Sequence, residues 1–325
     1  MPSIRLPERV STAVAALGLA GQRWLAGLPE LVCSLEADWT VTCGTALEGG
    51  NAAYVAEAIT ADGQLAVLKI ALPPGIEGFA PFEQELQALQ DAAGDPYARL
   101  ICHDEERRSM LLERLGRPLA SLGWTSDRQI AAITATLARG WRPASSGRLP
   151  TGAAKAEWLA SYITDAWRDL GEPCTERAAR RAIGYAAERA SRVDPRHAVL
   201  VHGDAHPSNV LEVPDGIDHS AQPAFRLIDP EGLASEPAHD LGVVLRGWNE
   251  DLLTADAAAV AFQGCEAVSR RTGVDPESTW QWSYIERVSS GLFLLRLGHQ
   301  AEARPFLEAA DRLGDSVTPW PKTTG

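Results

Sequence analysis

Hydrophobic spacing changes once along this 325-residue chain, and that change limits the folds open to it. Between about Trp39 and Leu115, apolar and polar residues alternate with the two-residue period of strands. Asp62-Gly63 joins YVAEAIT to QLAVLKI as a hairpin turn with positive φ. Gly49-Gly50-Asn51 is a second glycine turn, between TCGTALE and AAYVAEA. One helix interrupts this region near 82–93, with Phe82, Leu86, Leu89 and Ala93 on one face. ARLICHD and SMLLERL follow as two more strands. Beyond Gly116 the spacing is helical over 154–170, 176–192, 254–273 and 276–313, with a loop at 140–152. Residues 8–36 form short helical pieces, in which Leu17, Leu25, Leu28 and Leu31 keep partial helical spacing. The expectation is an α+β fold. Residues 1–115 make a small antiparallel-sheet lobe with an N-terminal helical extension, and residues 116–325 make a larger, mainly helical lobe.

A net charge of −13 argues against general nucleic-acid binding, which needs a cationic footprint, and suits a polar or cationic small molecule. The five cysteines stand singly, without zinc-ligand spacing, and are expected to be reduced. No stretch reaches membrane-spanning length and the N-terminus has no long apolar run, so the expected location is cytoplasmic.

Only three lysines occur, Lys69, Lys155 and Lys322, and Lys69 alone lies inside an apolar strand, AVLKIAL. A cation there needs an acidic partner. Glu85 flanks the apolar stripe of the helix at 82–93 and is the first candidate; Glu83, further round, is the second. Gly49-Gly50 could bring backbone N–H groups to a phosphate. No GxxxxGK[ST] loop occurs anywhere.

The stretch VLVHGDAHPSNVLEV, residues 199–213, packs His202, Asp204, His206 and Asn209 between two apolar runs. Three readings compete. His202, Asp204 and His206 alternate and could chelate zinc, as in a hydrolase. Asp and Asn could simply brace a turn. Asp204 and Asn209 also have the Asp-x4-Asn spacing of kinase catalytic loops, which brings a hydroxyl-orienting carboxylate and a metal-binding amide to one side. Downstream, FRLIDPEG sets Asp229 at a strand end. Asn209 and Asp229 are hard oxygen ligands suited to magnesium. The zinc reading leaves Lys69, Asn209 and Asp229 unused; the kinase reading uses all of them in order.

HGDAHPSNVL, LIDPEG and EPAHDLG together resemble the aminoglycoside phosphotransferase-like kinases, and are most similar to their streptomycin 6-phosphotransferase and hydroxyurea kinase branch. GQRWLAGLPELV, GGNAAYV, DGQLAVLKIALP and MLLERL carry the likeness upstream, so it spans roughly residues 20–245. It implies a bilobal protein-kinase-like fold with ATP between the lobes and a phosphotransferase acting on an alcohol group. By position, Asp204 would be the catalytic base or orienting carboxylate, and Asn209 and Asp229 would bind Mg²⁺. Lys69, held by Glu85, would contact the α/β-phosphates. Backbone of Glu113, Arg114 and Leu115 would meet the adenine. His202 and Asp240 would brace the catalytic loop. The streptomycin branch leads one to expect lysine after Asp-Pro; this chain has Glu231. For the acceptor, carboxylates beside aromatics at helical spacing nominate Asp165, near Trp158 and Tyr162, and Glu286, near Trp282, with Glu231. The acceptor class stays open among aminoglycoside-type antibiotics, amino sugars and hydroxyurea. A zinc-dependent hydrolase and an inactive nucleotide-binding module are the rival classes.

Overall fold

A computed structural model describes residues 4–48, 53–75, 81–144, 147–214, 224–254 and 256–320. It opens with two helices, α1 (Glu8–Ala16) and α2 (Gly18–Trp39). Then come strands β1 (Val41–Ala46), β2 (Ala53–Thr60) and β3 (Leu65–Ala71), helix α3 (Phe82–Ala92), and strands β4 (Leu100–Asp104) and β5 (Ser109–Glu113). The strands form one antiparallel sheet in the order β1-β2-β3-β5-β4. The turn after β2 has Gly63 at φ +82°, where glycine carries no Cβ penalty. The second glycine turn, Gly49-Gly50, lies outside the described residues.

The two-residue period of β3 decides where Lys69 goes. Ala66, Leu68 and Ile70 face α2 and pack with its Leu28, Val32 and Leu35. Lys69 therefore points to the opposite face, the face on which α3 packs Phe82, Leu86 and Leu89 against Met110 and Leu112. Where short helical pieces were expected over 8–36, the N-terminal segment is one short helix and one long one; α2 runs through Pro29 without ending.

The rest is mainly helical: α4 (Ser126–Gly140), α5 (Gly152–Asp169), α6 (Glu176–Arg192), α7 (Pro237–Arg246), α8 (Asn249–Thr254), α9 (Ala257–Thr272), α10 (Pro276–Arg296) and α11 (Gln300–Leu313). The helical stretch expected over 276–313 is divided in two, with Gly298 at φ +84° between α10 and α11. Helix α10 is buried on all sides: Trp280, Trp282, Tyr284, Ile285, Val288 and Leu292 are fully enclosed. Such a helix is the axis of a core, not an amphipathic cover. Two short antiparallel pairs lie between α6 and α7: β6 (Val199–Val201) with β9 (Leu233–Ser235), and β7 (Val210–Glu212) with β8 (Phe225–Leu227). They frame the two polar loops, 202–209 and 228–232. Among the described residues no helix is long and apolar enough to cross a membrane.

The α7–α10 contact depends on a glycine. A Cβ at Gly242 would lie 2.4 Å from Trp282 Cβ and 2.8 Å from the Ser283 nitrogen, both fixed parts of α10. Gly242→Ala should therefore cost about 1–3 kcal/mol by overpacking. Urea unfolding at neutral pH checks this; an unchanged midpoint would mean that α7 and α10 separate without cost.

Candidate active site

Lys69 is the meeting point of the two halves. Its Nζ lies 2.6 Å from Glu85 Oε1 on α3 and 2.7 Å from Asp229 Oδ1, just past β8. The lysine side chain is 11% exposed, whereas that of Asp229 is 43% exposed. Burial works against the lysine's charge, but the two carboxylates outweigh it and hold the proton on. Burial pushes Glu85 up. Asp229 is held below the usual carboxylate range: the adjacent Lys69 ammonium outweighs burial there. Glu83 points elsewhere, to Arg108. The choice between the two glutamates thus falls to Glu85, the one flanking the apolar stripe.

The loop after β6 is held by its own backbone. Asp240, fully buried on α7, accepts hydrogen bonds from the N–H of His202 (3.2 Å), the N–H of Gly203 (2.9 Å) and the indole of Trp141 (2.9 Å). A carboxylate taking three donors is well satisfied despite burial. Gly203 has φ +81°, a turn that projects the next side chain, Asp204, outward. His202 accepts from the Asp204 N–H at Nδ1 (3.1 Å), so its Nε2 carries the proton and donates to the Ile228 carbonyl (2.8 Å). Both ring nitrogens are spent on backbone, which leaves none for zinc. His202 also stacks on Tyr97 at 5.8 Å.

His206 accepts from the Ser208 N–H at Nδ1 and holds Nε2 3.6 Å from Asp204 Oδ2. Burial, with Arg246 nearby, keeps its ring below the ordinary pKa, while Asp204 pulls the other way. Asn209 donates from Nδ2 to the Asp204 carbonyl (3.0 Å), and no donor to its Oδ1 is seen among the described residues. The Ile228 N–H donates to the Asn209 carbonyl (3.0 Å), tying the Asp204 loop to the Asp229 loop. Asp229 itself has φ +55°, an uncommon conformation for a residue with a Cβ. It is fixed from behind: Gln84 on α3 donates to the Gly232 carbonyl (3.0 Å), and the Gly232 N–H to the His202 carbonyl (3.2 Å).

At the end of β5 the Glu113 carboxylate is locked by Arg226 and by the Arg99 N–H. The N–H groups of Glu113, Arg114 and Gly116 bond to the carbonyls of Arg99, Leu65 and Glu212. This anchors the strand on both sides just where it enters the helical lobe.

Beyond Asp204 lies a set of charges that sequence spacing does not reveal. Arg246, in the last turn of α7, reaches Asp204 Oδ1 at 2.5 Å and Glu286 Oε2 at 3.2 Å. His239 lies 3.2 Å from Glu286 Oε1 and stacks on Trp282. Burial disfavours the Glu286 charge, but His239, Arg246 and Lys155 outweigh it and hold the carboxyl near about 2. Glu286 is therefore an anchor beneath Arg246 rather than an open surface carboxylate; its side chain is 5% exposed. Glu231 does not face solvent alone: Lys155 Nζ on α5 lies 2.8 Å from its Oε2. Asp165 is not brought to this cluster. It is exposed on α5, ten residues past Lys155, or about 15 Å along the helix axis. The signal for Arg246 was present in the sequence as an arginine one α7 turn and a half beyond Asp240, but nothing local aimed it.

A two-lobed fold with a strand lysine bonded to a helix glutamate, facing an Asp-x4-Asn loop, is that of a protein-kinase-like phosphotransferase. Residues 38–298 match the model of the aminoglycoside/hydroxyurea antibiotic resistance kinases, and the chain belongs to that family. It is 29% identical over 303 residues to streptomycin 6-kinase of Streptomyces glaucescens, covering 92% of this chain and 93% of that one. Its fold is similar to that of a choline kinase from Streptococcus pneumoniae (TM-score 0.60, 17% identity, 89% of this chain and 99% of the other). It is also similar to the GDP complex of aminoglycoside 2'-phosphotransferase-IIIa (TM-score 0.57, 14% identity, 88% and 99%).

The Glu286 anchor has a pH signature. Its folded-state pKa of about 2 lies below the ordinary 4.5, so its stabilisation is complete above about pH 4.5 and is lost as pH falls toward 2. Glu286→Gln should cost roughly 3 kcal/mol at pH 7. The gap between variant and wild type should narrow as pH drops from 5 to 3 in urea unfolding series; a pH-independent gap would contradict the assignment.

Proposed function

We propose that this chain is an ATP- and Mg²⁺-dependent O-phosphotransferase that moves the γ-phosphoryl group of ATP to a hydroxyl of an aminoglycoside-type, streptomycin-like small molecule. One observation carries the reading: Lys69, Glu85 and Asp229 converge within hydrogen-bond distance, and the Ile228–Asn209 bond ties that cluster to the loop bearing Asp204. The family description supports the acceptor class by naming both aminoglycosides and hydroxyurea. An amino sugar or hydroxyurea is the alternative acceptor. A net charge of −13 favours a polar or cationic one. ATP supply puts the reaction in the cytoplasm.

In this reading the sheet lobe ends at Leu115, and the backbone of Glu113, Arg114 and Leu115 is the hinge that meets adenine. Lys69, oriented by Glu85, would hold the α/β-phosphates, as an anion replaces part of its pairing with Asp229. The Asn209 Oδ1 and the half-exposed Asp229 carboxylate suit magnesium, which takes few protein oxygens and keeps its remaining positions for phosphate and water. When bound, Mg²⁺ would neutralise charge on the phosphate oxygens. Asp204 would orient the acceptor hydroxyl and take its proton as the new P–O bond forms. His202 and Asp240 fix the backbone from which Asp204 projects, so the carboxylate need not be reoriented during the reaction.

Asp204→Ala should lower ADP release with streptomycin as acceptor by about 10²- to 10⁴-fold. ATP affinity by titration calorimetry should stay near wild type, because Lys69 and Asp229 are untouched. Wild-type-like turnover in the variant would sink the assignment.

A further inference from the structure

The acceptor side of Asp204 holds an ion pair that the mechanism above does not use. Lys155 and Glu231 meet at 2.8 Å with side chains only 18% and 23% exposed. Both partners are fixed from behind. Lys155 lies over the Trp158 ring, 5.1 Å from its centroid, and Tyr162 stacks on Trp158 at 5.1 Å. Glu231 packs against Gly203, the residue before Asp204. A Cβ on Gly203 would lie 3.0 Å from Glu231 Cβ and 3.2 Å from Glu231 Oε2. The pair therefore borders the loop that presents Asp204. The charges of Glu231, Glu286 and Asp204 together keep the lysine protonated against its burial.

Folding does not require such a pair. Two apolar side chains of similar volume would serve stability as well as a partly buried ion pair. What the pair does provide is a fixed donor and a fixed acceptor, side by side and partly desolvated. The ammonium has three N–H groups, so bonding to Glu231 leaves donors over. The carboxylate has lone pairs to spare.

We propose that Lys155 and Glu231 are specificity-determining residues that recognise, on the acceptor, a hydroxyl neighbouring the one phosphorylated. Lys155 donates to that oxygen and Glu231 accepts its hydrogen. A donor and an acceptor this close match the adjacent hydroxyls of a sugar or cyclitol ring. Hydroxyurea has no second hydroxyl and could meet the pair only through its planar urea carbonyl and N–H groups, in a different geometry from a ring diol. Sites built to bond a hydroxyl discriminate strongly against analogues that lack it, because their own polar groups are then left unpaired. This inference rests on the phosphotransferase reading and narrows its acceptor to vicinal polyols.

Steady-state kinetics with streptomycin test it on wild type, Lys155→Met and the charge-swapped K155E/E231K, alongside melting temperatures. Lys155→Met should raise the KM for streptomycin about tenfold or more while the KM for ATP stays within about twofold. The swap should recover the melting temperature but not the acceptor KM, since donor and acceptor have changed places. An unchanged acceptor KM in Lys155→Met, or its full recovery in the swap, would show a merely structural pair and overturn the proposal. If wild type phosphorylates hydroxyurea but no polyol, the subsite is wrong and the phosphotransferase reading stands. If it phosphorylates neither, that reading falls, and calorimetry with streptomycin still decides the subsite. Weaker binding to Lys155→Met than to wild type supports it; equal or absent binding to both overturns it.

Discussion

Everything in the site is placed relative to one buried ammonium. Lys69 comes from the sheet, Glu85 from the helix packed on that sheet, and Asp229 from a loop of the helical part. Any one pair would be an ordinary ion pair. The three together join the halves of the molecule through a desolvated cation, which needs acidic partners. Two carboxylates on one lysine leave the cluster with an excess negative charge. That excess explains why Glu85 and Asp229 move in opposite directions: the more enclosed carboxylate bears the cost of burial, and the one facing the cleft keeps its charge. A cation and a polyphosphate arriving together fit that imbalance, since one can meet Asp229 while the other meets Lys69.

The loop carrying Asp204 follows a different principle. Its geometry is set by hydrogen bonds to main-chain N–H groups rather than by side-chain packing. Asp240 takes two consecutive N–H groups, and His202 takes the third and ties it to Ile228. Backbone held in this way cannot relax when a neighbouring side chain moves. Side chains on the loop can then be spent on chemistry, while the histidines, which look like metal ligands in the sequence, serve the frame.

The legible residues were those whose place in the site follows from local period or spacing. Lys69 stood out because it is the one lysine inside an apolar strand, where a cation needs an acidic partner, and Glu85 because it flanks a helical stripe. Asp204, Asn209 and Asp229 were legible through spacing and strand-end position. Arg246 and Lys155 were not, because each acts on a partner 42 or 76 residues away. Only the packing of α7 and α5 around α10 brings them in. Glu286 was found for the wrong reason: a carboxylate among tryptophans looked like a surface for a cationic ligand, but the helix is enclosed on every side and its acid is internal. Asp165 shared the same pattern and lies on the exposed side of α5. Periodicity alone does not tell a helix that borders a site from one that underlies it.

The charge arrangement beyond Asp204 bears on how the acceptor must enter. Arg246 occupies Asp204 and Glu286, and Lys155 occupies Glu231, so every described carboxylate there already has a cation. A polycationic molecule gains little by approaching such a surface through charge alone. It must displace a guanidinium or an ammonium held in low-dielectric surroundings, and the exchange of one cation for another is close to neutral. Under the proposed subsite, selection among acceptors rests on hydrogen-bond geometry, where a fixed donor and acceptor would distinguish one arrangement of hydroxyls from another. The overall acidity of the chain can still draw a cationic molecule toward the cleft, but pairing within the site hands discrimination to direction rather than to charge.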